Sequence, residues 1–160
     1  MVGVAVKGVP GLVDISLTSA GCSSLSMILY QPPNQQIPSL TQVCNSPFLS
    51  HFNLERLEIC EWQGIRPQWL VNARNTQWLE LLRRFTTVKS LSLSKESTPC
   101  VVPALQELSG ERIMDVLPTL QSIFLPDSLL LRPVKEALTQ FLTARQLSGH
   151  PVAVNPPGQE

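Results

Sequence analysis

Ser92 and Lys95, in "SLSK", carry the S-x-x-K spacing that sets a serine nucleophile beside a lysine base. That chemistry needs the motif to open a helix, where residues i and i+3 share a face. Here it follows a strand-like run, in which i and i+3 point to opposite faces, so no Ser–Lys couple is expected. "EICEW" gathers Glu58, Cys60 and Glu61, a thiol with two carboxylates, too few ligands for a committed metal site. The two histidines, His51 and His150, sit in loop-like surroundings far in sequence from clustered carboxylates or cysteines and read as surface residues. G-x-S-x-G, H-E-x-x-H, Walker A and G-x-G-x-x-G are missing from the sequence. The chain is therefore expected not to be an enzyme, with no catalytic, cofactor-binding or metal-binding residue assigned. A small hydrolase assembled from loop residues is the less favoured alternative.

Cys22, Cys44, Cys60 and Cys100 are scattered and form no C-x-x-C pair, which argues against a zinc knuckle and a thioredoxin-like site. They read as small apolar residues in a reducing compartment, and no Asn begins an N-x-Ser/Thr sequon. The expectation is an intracellular protein, cytoplasmic or nuclear. Hydrophobic residues make up 43% of the 160 and charged residues 15%, with Lys+Arg and Asp+Glu at 12 each. A chain without net charge offers no global field for nucleic acid or an anionic membrane. No run reaches the ~18 apolar residues of a membrane span. The opening "MVGVAVKGVPGLV" lacks a basic start and a small-residue cleavage site, so it reads as mature chain. One domain of this length buries a substantial core.

The elements that position these residues follow from a repeated spacing. "LERLEI" places Leu54, Leu57 and Ile59 as L-x-x-L-x-L, and the pattern recurs at Leu12/Ile15/Leu17, Val88/Leu91/Leu93 and Leu120/Ile123/Leu125. First positions 12, 54, 88 and 120 are 42, 34 and 32 residues apart, room for one strand and a returning helix per unit. "NTQWLELLRRF" carries Trp78, Leu81, Leu82 and Phe85 at helical spacing. "PALQELSGERIMDVLP" suggests two short helices broken at Gly110 and closed by Pro118. "SSLSMIL" between the first two strands reads as a short helix. "RPVKEALTQFLTAR" puts Val134, Leu138, Phe141 and Leu142 on one face and serves as the C-terminal capping helix. Strand, crossover, strand implies parallel pairing in chain order. The fold class expected is α/β: an irregular leucine-rich-repeat solenoid with about four parallel strands and crossover helices. It spans residues 1–148, with a low-order insertion near 30–42 and an unstructured tail at 149–160.

"NTQWLELLRRFTTVKSLSLSKE", "VPALQELSGERIMDVLPTLQSIFL", "FLTARQLSGHPVAV" and, before them, "LERLEICEWQ" together resemble the C-terminal leucine-rich-repeat region of fungal F-box proteins over roughly residues 12–154. That resemblance implies a substrate-recruiting subunit of a ubiquitin ligase. Its repeats hold a protein target, and an F-box clasps a Skp-type adaptor. No F-box is found in this chain, so the adaptor is expected only through an F-box outside it. The Asn or Cys expected three residues after the last Leu of each repeat is replaced by Ala20, Trp62, Glu96 and Ser128, so no internal Asn ladder is expected.

Strand alternation then assigns a binding face. With Leu57 and Ile59 inward, Arg56, Glu58 and Cys60 face a concave surface. Stacking in register predicts two rows across the strands, Asp14/Arg56/Ser90/Ser122 and Ser16/Glu58/Ser92/Phe124. These eight residues are the candidate protein-binding site: hydroxyls for hydrogen bonds, with Phe124 as an aromatic anchor. The plainer alternative is a hydrated sheet face with Phe124 covered by the tail. Trp62 and Trp69 are candidates for its rim, with core packing an equal reading for both. The partner expected is a protein of unknown identity. The alternative is a truncated or divergent fragment without independent function.

Overall fold

A chain built from short alternating strands and amphipathic returns folds, in a computed structural model, into one sheet whose strands lie side by side in chain order. The structure describes residues 13–19, 23–29, 54–61, 75–95, 97–126 and 131–156. Among these, the strands are β1 (Val13–Ser19), β2 (Ser23–Leu29), β3 (Arg56–Glu61), β4 (Ser90–Leu93), β5 (Ser122–Phe124) and β6 (Ala153–Asn155). The helices are α1 (Asn75–Leu82), α2 (Thr98–Gln106) and α3 (Arg132–Leu147), with a 3-10 turn at Gly110–Met114. β1 pairs antiparallel with β2, and from β2 to β6 every neighbouring pair is parallel. The fold is α/β, with parallel strands and helical returns. The expected insertion at 30–42, His51, Trp62 and Trp69 lie outside the described residues.

β4 shows why these sequences become strands. Ser90-Leu91-Ser92-Leu93 alternates half-buried and buried side chains, so one face enters the core and the other does not. Leu57, Leu91 and Ile123 share one register row, and Ile59 and Leu93 share the next. Against these rows pack Trp78, Leu81 and Leu82 of α1, Val101, Val102 and Leu105 of α2, and Val134, Leu138 and Phe141 of α3, all in one apolar cluster. Burial of each such side chain contributes roughly 1.5–3 kcal/mol, and this term holds the helices on the sheet. Polar clasps lie over it at the surface: Asn75 Nδ2 donates to Glu107 Oε1 at 2.5 Å and Gln106 Nε2 to Gln140 Oε1 at 2.7 Å.

Three expectations are corrected. "SSLSMIL" is strand β2, not a helix: Leu25, Met27 and Leu29 recur every second residue, and seven pairings with β1 and six with β3 outweigh a two-turn helix. The stretch from 149 is not all tail, since Ala153–Asn155 extends the sheet beside β5. Consequently α3 is the crossover between β5 and β6, packed on α2, rather than a terminal cap. α2 also begins five residues before Pro103, at Thr98, with Pro99 in its first turn, where a missing N–H is harmless.

α3 ends in a Schellman turn. Gly149, at φ 81°, takes the left-handed position, the His150 N–H donates to the Arg145 carbonyl at 3.0 Å and the Gly149 N–H to the Gln146 carbonyl at 3.1 Å. That reversal aims the chain back along the sheet as β6. The approach to β5 is held differently. Leu117 is a buried non-glycine residue at φ 49°, a backbone region an L side chain enters only against strain. Across this bend reaches Arg145, fully buried although charged. Its Nη2 donates to the carbonyls of Leu120 at 2.9 Å and Pro118 at 3.4 Å, while Nη1 lies 3.5 Å from the Ile113 carbonyl and 3.1 Å from Met114 Sδ. Among the described residues no carboxylate meets it, and desolvation holds its pKa below the usual guanidinium value.

Candidate functional site

The sheet face turned away from the helices carries Arg56, Glu58, Ser90, Ser92 and Ser122, all half-buried. Two register rows cross it. Arg56, Ser90 and Ser122 align on three successive strands, as do Glu58, Ser92 and Phe124. Those alignments match the expected rows. Arg56 and Glu58 supply one charge of each sign on a single strand, while the Ser90 and Ser122 hydroxyls meet at 3.1 Å. Outside the rows, at the position before each strand, Lys89 Nζ contacts Glu55 Oε1 at 2.6 Å, with both side chains partly exposed. Exposed pairs of this kind add little stability.

β2 changes the far end of both rows. Because β1 runs antiparallel, its order is reversed about Ser16: Ser16 pairs with Ser26 and through it with Glu58, as expected except for the extra strand between. Asp14 pairs instead with Ile28 and through it with Cys60, and Thr18 occupies, via Ser24, the row of Arg56. Asp14 therefore leaves the position assigned to it. At the other end β6 adds Ala153 to the Ser122 row and Asn155 to the Phe124 row. Phe124 lies between Ser92 and Asn155 rather than at an edge, is only 8% exposed and stands apart from the main apolar cluster. An aromatic so covered is part of the structure, so its role as a projecting anchor is withdrawn.

Three of the residues nominated for chemistry, Ser92, Lys95 and His150, are among those described. Ser92 lies within β4, and Lys95 follows the strand at an exposed turn. His150 is exposed beyond α3. Among the described residues no three His, Cys, Asp or Glu side chains gather as a metal site, and no helix is long and apolar enough to cross a membrane.

A threonine ladder, absent from the expectations, fixes the register of the rows. Thr87 Oγ1 donates to the Leu54 carbonyl at 2.9 Å, and Thr119 Oγ1 lies 2.9 Å from the Val88 carbonyl and 3.0 Å from that of Thr86. Each threonine precedes a strand by three residues and grips the preceding unit. Main-chain bonds repeat the pattern: Lys89 and Ser90 both donate to the Glu55 carbonyl, Gln121 and Ser122 both to that of Lys89, and Ala153 to that of Gln121. A second staple sits at the strands' other end, where the buried Ser97 hydroxyl donates to the Ile59 carbonyl at 3.1 Å. The signal was in the sequence as "TVKSLSL" and "TLQSIFL", one Thr directly before each of two apolar repeats. Thr119→Val keeps the shape but removes the one hydroxyl donor that the Val88 and Thr86 carbonyls share. The expected cost is about 1 kcal/mol in urea unfolding, and an unchanged midpoint would remove the ladder from the account.

No protein-family model, curated protein or solved structure matches this chain. The face must therefore be read from its own geometry.

Proposed function

We propose that the chain is a solenoid of leucine-rich-repeat type acting as a non-enzymatic protein-interaction module. In this reading the polar sheet face binds a protein target, as in the substrate-recruiting repeats of F-box ubiquitin-ligase subunits. The observation that carries the reading is the pair of register rows: successive strands in chain order place apolar residues on the helices and small polar residues, with Arg56 and Glu58, on the opposite face. Small side chains leave room for a protruding partner, hydroxyls supply adaptable hydrogen bonds, and opposite charges two residues apart on one strand set its register. The absence of net charge in the chain fits a protein target better than a polyanion. A Skp-type adaptor enters this proposal only through an F-box outside these residues. The proposed compartment is the cell interior, cytoplasmic or nuclear.

The test is affinity capture with three versions of the chain: wild type, Arg56→Glu/Ser92→Arg on the polar sheet face, and Lys135→Glu on the exposed side of α3. Circular dichroism first establishes that each is folded. Proteins held by the wild type and by Lys135→Glu are expected to disappear from the double variant. Equal recovery from all three moves the binding site off this face. Recovery of a Skp-type adaptor would place an adaptor-binding element within these residues.

A further inference from the structure

Arg145 is fully buried and short of acceptors. Its Nη2 reaches the Leu120 carbonyl at 2.9 Å and the Pro118 carbonyl at 3.4 Å, while Nη1 has the Ile113 carbonyl at 3.5 Å and Met114 Sδ at 3.1 Å. Nε is buried and meets no acceptor, and among the described residues no carboxylate pairs with the group. One of these bonds is short to oxygen; the others are long or made to a thioether sulfur, a weak acceptor. That sulfur is also within reach of solvent. Its contact with Arg145 is part-buried and Met114 itself half-buried, whereas the Ile113 and Leu120 carbonyls are met in the interior.

From this pairing we infer that Met114 is an oxidation site at which hydrogen peroxide tightens the fold, the sulfoxide oxygen becoming the strong acceptor that buried Arg145 lacks. The sulfur lone pair takes one peroxide oxygen, the O–O bond breaks and the other oxygen leaves as water; sulfur is oxidised by two electrons and peroxide reduced by two. Elsewhere such a change loosens a core, because it sets a polar group among apolar side chains. Here the new oxygen meets a cation. Its bond to Nη1 is charge-assisted, of the class roughly twice as strong as neutral ones. Room for the oxygen requires the sulfur to recede by about 1 Å, toward its exposed side, which an unbranched side chain with three rotatable bonds allows. The segment so held runs from the 3-10 turn at Gly110–Met114 into β5, the strand that carries Ser122. Oxidation at one sulfur thereby fastens the approach to a strand of the polar face, and reduction of the sulfoxide releases it.

Urea unfolding after treatment of the folded chain with dilute hydrogen peroxide tests this, with peptide mass mapping to locate the added oxygen. A thiol reductant then returns disulfides and sulfenic acids to cysteine and leaves the sulfoxide in place. The wild-type chain is expected to gain one oxygen at Met114 and to shift its unfolding equilibrium toward the folded form by roughly tenfold, read as a higher midpoint at unchanged slope. Methionine sulfoxide reductase is expected to return the midpoint to its starting value. Met114→Leu keeps the volume and removes the sulfur, so peroxide is expected to leave its midpoint unraised, which separates this effect from oxidation at the other methionines and the cysteines. Met114→Gln sets an amide oxygen near the place of the sulfoxide oxygen and is expected to unfold at higher urea than Met114→Leu with no oxidant present. A midpoint that stays or falls once Met114 is oxidised, an equal rise in Met114→Leu, a Met114 that peroxide leaves unchanged in the folded chain, or a Met114→Gln no more stable than Met114→Leu overturns the inference. None of these results touches the sheet-face reading, whose test depends on Arg56 and Ser92.

Discussion

Arg145→Ala is expected to lower the free energy of unfolding by about 3–5 kcal/mol, read as a fall in the urea midpoint at unchanged slope. The size comes from what the guanidinium leaves behind rather than from its charge. Burial pulls its pKa down, the mark of a desolvation cost, and no carboxylate among the described residues offsets it. What it supplies is donors to the carbonyls of Leu120 and Pro118 and, more distantly, Ile113. Truncation leaves those groups unsatisfied in a water-excluded site, at about 1–3 kcal/mol each, and opens a cavity among the largest fully buried side chains. It also releases the bend at Leu117, whose φ of 49° persists only while both sides of it are held. Arg145→Lys is expected to recover only part of the loss, because one ammonium cannot span three carbonyls. A loss below about 1 kcal/mol for the alanine variant would show that the 113–120 segment is held by packing alone.

Leu91→Ala is the second large effect, about 2–5 kcal/mol, against less than about 0.5 for Val154→Ala in the same row. Leu91 lies between Leu57 and Ile123 and is fully buried, while Val154 ends the row at 38% exposed. The identical register position thus carries different weights by its distance from the sheet edge. Because Leu57 and Leu91 are neighbours across one strand pair, their double alanine variant is expected to depart from additivity. Strict additivity would argue that the two side chains do not share a packing environment, and so against the register.

Much of the fold was legible because L-x-x-L-x-L carries its own phase. The spacing identifies which residues face inward, and the Arg56/Ser90/Ser122 and Glu58/Ser92/Phe124 alignments follow from counting alone. "SSLSMIL" was misread because a seven-residue run with apolar residues at every second position and serines at its start satisfies both a strand and a capped helical turn. Its partner decided the matter. Ala153-Val154-Asn155 is too short to show a period, and the prolines around it suggest a loop; its strand character comes from docking on β5. Phe124 was placed in the right row, and of its two readings, projecting anchor or side chain covered by the chain after 149, its burial beside Asn155 favours the second. The threonine ladder was not legible for a positional reason: the polar mark of a regular repeat is an Asn or Cys after each strand, whereas Thr87 and Thr119 bond before it. Arg145 escaped because a basic residue in the last helical turn is already explained by the helix dipole.

The acceptors that Arg145 grips are, Met114 aside, peptide carbonyls, which every amino acid possesses. The clamp is accordingly indifferent to most side-chain identities between 113 and 120 but not to the number of residues that bring those carbonyls under it. Substitutions at the exposed Asp115 leave all three oxygens in place, whereas inserting or deleting a single residue there shifts them out of reach. For this clamp, drift in composition at the exposed positions is tolerated and drift in length is not.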